Sequence, residues 1–131
     1  MGTHPNEQIA HDLWEAIATG DAHALGQVLD EKCTWRMPGR SPLAGLHEGL
    51  ASVTAFMARV GELSDELTAE LQDVYVSDHG AVLRYSIEAR RGSSTLDTEH
   101  LFCSRIEDGV VTEAFFAPLD QERYDRFWRA H

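Results

Sequence analysis

The chain has 131 residues, of which 43% are hydrophobic and 25% are charged, and this composition is typical of one globular domain spanning residues 1–131. Its 22 acidic and 11 basic side chains give a net charge of −11, which argues against nucleic acid or an anionic membrane surface as a partner. No apolar run approaches the ~20 residues that a membrane helix needs, and the first residues lack the basic and apolar regions of a signal peptide. We therefore expect a cytoplasmic protein.

The cysteine content argues against two further classes of protein, and the lysine content indicates the type of genome. Cys33 and Cys103 are the two cysteines, and they form neither a disulfide framework nor the spaced ligand set of a structural zinc site. We expect both thiols to be reduced, and we expect no metal and no cofactor. Lys32 is the single lysine among 11 basic residues, a bias that indicates a GC-rich bacterial genome.

The first half of the chain is predicted to be mostly helical, and the second half rich in strands. A helix from about Pro5 to Thr19 has apolar residues on one face, and Gly20 ends it. Asp21 then caps a short second helix. The alternating segment Cys33–Met37 predicts a strand, and the following segment 38–42, Pro-Gly-Arg-Ser-Pro, predicts a loop.

A third helix and a run of strands follow. Apolar residues spaced by three and four positions predict a helix from about His47 to Glu62. After Asp65 the period changes to two, and short turns join consecutive strands, so these strands form antiparallel hairpins. Asp120 caps a last helix. The predicted strands are Leu67–Ser77, Ala81–Arg90, Thr95–Glu107 and Val110–Ala117, which makes the fold class α+β.

The order of these elements resembles the nuclear-transport-factor-2-like superfamily, in particular its SnoaL-like or ketosteroid-isomerase-like branch. The resemblance is carried by residues 14–21, 33–35, 38–45 and 107–111. It implies a cone-shaped, curved antiparallel sheet wrapped around N-terminal helices, with a C-terminal helix and an apolar pocket inside. It also implies a homodimer. The family includes isomerases, cyclases, hydrolases and non-catalytic binding modules, so the fold alone does not give the function.

The polar residues of the steroid isomerases are not matched. Alignment on Gly20-Asp21 and Pro38-Gly39 places Met37 at the position of the carboxylate base and Leu13 at that of the tyrosine donor. Counting back from Asp108-Gly109 places Phe102 at the position of the protonated acid. We therefore expect no ketosteroid isomerase activity by that mechanism.

An apolar pocket with one titratable group remains as the candidate site. Trp35 and Met37 share one strand face, and His100 shares a face with Phe102, because side chains alternate along a strand. The pocket residues predicted from the sequence are Trp14, Trp35, Met37, Phe56, Tyr85, Phe102 and Phe116, with His100 as the candidate catalytic acid or base. The simpler interpretation is that these residues are only core.

The facing of the strand Ala81–Arg90 is left open by the sequence. Burial of apolar surface directs Tyr85 and Ile87 inward, whereas the isomerase resemblance directs Arg84 and Ser86 inward. An inward arginine would need a partner such as Glu99, Glu113 or a substrate anion. With Asp97 and Glu113, Arg84 could also supply the residue types of the Asp-Arg-Asp site of the epoxide hydrolases, although the spacing differs.

Two functions from different classes follow. The chain binds a small hydrophobic, aromatic or polycyclic molecule and acts on it as a cofactor-independent cyclase, isomerase or hydrolase through acid–base chemistry. Alternatively, it is a non-catalytic small-molecule-binding or dimerisation module. In both, the outer face of the sheet is predicted to form a homodimer.

Overall fold

The computed structural model describes residues 4–129, which form four helices and six strands. No helix in this range is long and apolar enough to cross a membrane. The helices are α1 (Pro5–Thr19), α2 (Ala22–Val28), α3 (Leu50–Leu63) and α4 (Gln121–Arg129). The strands are β1 (Leu29–Met37), β2 (Gly45–Glu48), β3 (Glu66–Ser77), β4 (Gly80–Arg91), β5 (Ser94–Glu107) and β6 (Val110–Pro118).

The strands form one sheet in the order β2-β1-β6-β5-β4-β3, and this sheet is not closed. The hairpins from β3 to β6 are antiparallel, as the short turns predict, and the α+β class is confirmed. The sheet is mixed, however, because β1 lies parallel to β6. No turn links these two strands, so their relative direction is set by tertiary packing and not by a local signal.

The beginning of the third helix differs from the sequence prediction. Helix α3 begins at Leu50 and not near His47, because residues 45–48 form β2, which pairs with the end of β1. Gly49 lies between the two elements with a φ of 85°, a left-handed conformation that glycine adopts without steric cost. A strand of four residues is too short to show a period of two, so the sequence pattern did not indicate it.

Strand β4 directs its apolar residues inward, which decides the question left open by the sequence. Tyr85 and Ile87 are buried, whereas Arg84 and Ser86 lie on the outer face of the sheet. There the Arg84 Nε donates to Glu99 Oε1 over 3.0 Å. Burial of apolar surface decides the facing because an inward arginine would have lost its water. The Asp-Arg-Asp arrangement is therefore not directed into the interior.

Helix α4 is fastened to the rest of the fold by polar contacts on two sides. The buried Asp125 accepts from the backbone N–H of Arg40 over 3.0 Å, and it accepts from the Gln121 side chain over 3.0 Å. The same Gln121 amide donates to the carbonyl of Pro38 over 3.2 Å. Near the other end, Arg91 donates to the carbonyls of Phe127 and Trp128. These contacts fix the position of the helix over the end of the sheet.

The loop glycine beside Asp125 is expected to be sensitive to substitution. Gly39 has a φ of 101°, and a methyl group there would collide with the Asp125 carboxylate and the Gln121 amide. Gly39→Ala should therefore lower the free energy of unfolding by about 1–3 kcal/mol and loosen α4, measured by urea unfolding and by proteolysis of the C-terminus.

Gly45→Ala is the matched control for this prediction. Gly45 also has a positive φ, 124°, but a methyl group there would contact nothing within 4 Å. It should cost only the backbone strain and leave α4 resistant to protease. Equal proteolysis of the two variants would show that the contact between Gly39 and Asp125 does not hold the helix.

Candidate functional site

A cavity of about 370 Å³ lies between the helices and the inner face of the sheet. This volume falls in the lower part of the range that small-molecule sites occupy. Helices α1, α3 and α4 line it together with strands from β1 to the other edge of the sheet. The lining residues are Trp14, Ile17, Ala18, Met37, Phe56, Met57, Val60, Leu67, Thr68, Ala69, Tyr85, Ile87, His100, Phe116, Tyr124 and Trp128.

Six of the eight side chains predicted from the sequence line this cavity: Trp14, Met37, Phe56, Tyr85, His100 and Phe116. Trp35 and Phe102 do not, although both are fully buried on the inner face. They lie behind Phe116, whose ring centroid is 5.7 Å from that of Trp35 and 4.7 Å from that of Phe102. Alternation gives the face of a strand but not which inner side chains cover the others, so the sequence did not indicate this arrangement.

The cavity has an exposed entrance and a buried end. Ala18, Leu67 and Thr68 are exposed, and they place the entrance between the end of α1 and the start of β3. His100 is only 1% exposed, and it lies at the buried end with Tyr124 and Trp128. A ligand that enters between α1 and β3 would therefore reach His100, Tyr124 and Trp128 last.

The polar end of the cavity consists of His100 between two tyrosines. Tyr85 lies opposite His100 in the β4–β5 pairing, and the two ring centroids are 5.5 Å apart. Tyr124 comes from α4, and its ring centroid is 4.8 Å from that of His100. The Nε2 atom of His100 and the Nε1 atom of Trp128 are buried without a hydrogen-bond partner among residues 4–129. Such unpaired buried atoms are rare, because each costs about 1–3 kcal/mol.

Burial sets the protonation state of these groups. Desolvation lowers the pKa of His100 from 6.5 to about 4, so its imidazole is neutral at pH 7. Desolvation also raises the pKa of Tyr85 and of Tyr124, and both phenols stay protonated. At neutral pH the polar end therefore offers two O–H groups and one imidazole N–H, all uncharged.

Charged side chains lie outside this cavity in the part of the chain that the structure describes. Arg84 and Glu99 pair on the outer face, Asp97 is exposed, and Glu113 lines a separate groove on that outer face. Across residues 4–129, no group of three or more His, Cys, Asp or Glu side chains is placed to hold a metal ion. Cys33 is buried, and burial raises its pKa to about 11, so it is a neutral thiol.

Two lining residues from α4 were not predicted as site residues. They are Tyr124 and Trp128. Their spacing in the sequence could have indicated a shared role. Tyr124 and Trp128 are four residues apart and therefore lie on one face of a helix. That spacing does not tell which part of the sheet the helix covers.

Comparison with known proteins identifies the family. The sequence profile of the SnoaL-like domain matches residues 10–114. The chain belongs to the SnoaL-like domain family. An uncharacterized protein of Mycobacterium tuberculosis is 27% identical over 115 residues, which are 86% of this chain and 88% of that protein.

Solved structures of similar proteins confirm the predicted cone-shaped fold. Bal32a, from a soil-derived mobile gene cassette, is 30% identical with a TM-score of 0.88, and the match covers 96% of this chain and 100% of Bal32a. A putative SnoaL-like polyketide cyclase from Jannaschia has a TM-score of 0.80 at 13% identity, with 100% of this chain and 98% of that chain covered. At 13% identity the likeness to the cyclase shows the fold alone.

Proposed function

We propose that this SnoaL-like protein binds a small hydrophobic, aromatic or polycyclic molecule in the cavity and acts on it as a cofactor-independent cyclase, isomerase or hydrolase. The observation that carries the proposal is a cavity with apolar walls and one titratable group, His100, at its buried end. Apolar walls supply affinity, and a few placed polar groups orient the ligand. A putative polyketide cyclase has the same fold, so the fold can accommodate this class of activity.

The chemistry of His100 follows from its burial. A neutral imidazole donates through one nitrogen and accepts through the other, so it can take a proton at one atom and return it at another. With a pKa of about 4 it is a weak base, and its main contribution is a hydrogen bond to an oxygen that becomes more negative during the reaction. The rings of Tyr85 and Tyr124 pack against it, and each carries one further O–H donor.

Binding is tested with 2-isopropylnaphthalene, an uncharged aromatic probe. Trp14 and Trp128 line the cavity, so their fluorescence should change on binding. Ala69→Phe places a ring in the cavity and should reduce the affinity at least tenfold, about 1.4 kcal/mol. Ala51→Phe, at an exposed position of α3, is the control and should bind as the unmodified chain does. The same affinity in all three proteins would contradict the proposed site.

Catalysis is tested by hydrogen–deuterium exchange on 2-tetralone, a bicyclic ketone with acidic hydrogens beside its carbonyl. We expect the protein to accelerate exchange at that carbon and His100→Phe to abolish the acceleration. His79→Phe is the control, since His79 lies in the exposed turn between β3 and β4.

One observation favours a non-catalytic binding module as the second candidate. No carboxylate base lines the cavity among the described residues, and proton abstraction from carbon is usually assigned to such a base. Binding of 2-tetralone without accelerated exchange would select this second function and contradict the enzyme.

The outer face of the sheet supports a homodimer. Tyr75 and Phe115 are about half exposed there, and they line an open groove together with Leu46. Exposed apolar clusters of this kind are usually covered by a partner. Arg105 and Glu113 line the same groove, so it carries both charge signs although the chain is strongly acidic. A two-fold pair of such faces can match opposite charges without bringing two acidic surfaces together.

Dimerisation is expected to depend on Phe115. Analytical ultracentrifugation at micromolar concentration should give a species of about twice 14.6 kDa. Phe115→Glu should give a folded monomer, because it places a charge in the covered apolar face. Leu119→Glu, at an exposed apolar position outside the groove, should remain dimeric. A 14.6 kDa species for the unmodified chain would contradict the dimer.

A further inference from the structure

We propose that the polar end of the cavity selects an uncharged ligand that carries a carbonyl oxygen, such as an aromatic ketone or ester, and rejects carboxylates of the same shape. This inference rests on the proposed function, since it concerns the same cavity. It narrows the ligand from a hydrophobic molecule to one of stated charge and stated hydrogen-bonding character.

The cavity wall offers no counter-ion to a charged ligand. His100 is the one acidic or basic side chain that lines it in the described range, and burial keeps this imidazole neutral at pH 7. Two charged side chains that hold α4 in place already have partners: Asp125 accepts from the Arg40 backbone and Gln121, and Arg91 donates to carbonyls at the end of α4. A carboxylate would therefore lose its water without gaining a counter-ion, and that loss is costly.

Hydrogen-bond donors collect at the buried end of the cavity. The side chains of Tyr85, Tyr124 and His100 each carry one N–H or O–H, and the Nε2 atom of His100 is buried without a hydrogen-bond partner within residues 4–129. The Trp128 indole N–H, which is also without a partner, belongs to the same end of the cavity. A carbonyl oxygen has two lone pairs and no hydrogen, so it complements a group of donors.

The donors lie far from the entrance of the cavity. His100 and Tyr124 are buried, whereas Ala18, Leu67 and Thr68 at the entrance are exposed. A ligand can reach the donors only with the end that enters first, and its apolar body then lies against Met37, Phe56 and Phe116. The site therefore fits a molecule whose oxygen is at one end of an aromatic system.

Three probes of nearly the same shape test the inference. They are 2-acetylnaphthalene, which is a ketone, 2-naphthoate, which is an anion at pH 7.5, and 2-isopropylnaphthalene, which has no oxygen. Tryptophan fluorescence reports the affinity of each probe. We expect the ketone to bind about tenfold more tightly than the naphthoate. The naphthoate is charged and finds no counter-ion in the cavity, whereas the ketone needs none.

Tyrosine variants show whether the donors recognise the oxygen. Tyr124→Phe and Tyr85→Phe each remove one O–H and should weaken ketone binding about three- to tenfold, with little change for the hydrocarbon. Tyr75→Phe is the matched control on the outer face of the sheet and should change neither affinity.

The possible results separate this inference from the proposed function. A ketone preference that is lost in Tyr124→Phe supports the inference. Binding of the hydrocarbon with equal affinities for ketone and naphthoate, or with no effect of either inner tyrosine, overturns the inference and leaves the proposed function standing. No binding of any of the three probes overturns both.

Discussion

Replacing Phe102 with alanine should lower the free energy of unfolding by about 3–5 kcal/mol. Phe102 is fully buried on β5, where its ring packs edge-on against Trp35 at a centroid distance of 5.1 Å and against Phe116 at 4.7 Å. Removal of the ring loses its apolar burial and leaves a cavity that these neighbours cannot fill without moving.

Urea unfolding of the purified protein measures this effect. Leu119→Ala is the control, since Leu119 is 60% exposed and its truncation should cost less than about 1 kcal/mol. If Phe102→Ala were as mild as Leu119→Ala, then β5 would not present Phe102 to the core. The facing of His100, two residues away on the same strand, would then be wrong as well.

The stability of the protein should fall in mild acid because of His100. Its pKa in the folded state is lowered to about 4, whereas the unfolded chain has the usual value of 6.5. Between these two pH values the unfolded chain binds a proton that the folded chain does not. The contribution of neutral His100 to the free energy of unfolding is therefore complete above about pH 6.5. It is lost as the pH falls to about 4, and the loss is about 3 kcal/mol.

The effect of His100 is measured by comparing the pH dependence of unfolding in the unmodified chain with that in His100→Gln. The stability of the unmodified chain relative to His100→Gln should decrease from pH 7 to pH 4, whereas His79→Gln, in an exposed turn, should follow the unmodified chain. Nuclear magnetic resonance of the imidazole gives a second readout that does not require the variant to fold. A His100 titration midpoint near 6.5 would contradict the burial described above.

The parts of the fold with strong local signals could be predicted from the sequence. The hairpins from β3 to β6 alternate over nine or more residues and are joined by short turns, so each strand was found within about two residues. Strand β2 has four residues and no measurable period, and the parallel pairing of β1 with β6 depends on contacts between distant segments. Neither strand β2 nor the parallel pairing produces a pattern in the local sequence from which it could be predicted.

The site could be predicted less completely than the fold. His100 and Met37 were found because alternation fixes the inner face of a strand once the core is known. Trp35 was predicted to line the cavity, but it lies behind Phe56 and Phe116, and the sequence does not show that these two rings cover it. Tyr124 was missed because its role depends on where α4 docks, and the contacts of Asp125 and Arg91 that fix this docking join residues far apart in the chain.

A crystal structure of the protein soaked with 2-tetralone tests the central claim most directly. The bicyclic ring should lie among Met37, Phe56 and Phe116, with its oxygen toward His100 and Tyr124. Ring density confined to the outer-face groove beside Phe115, or a cavity with no ligand at a concentration that saturates the fluorescence change, would contradict the site proposed for this SnoaL-like protein.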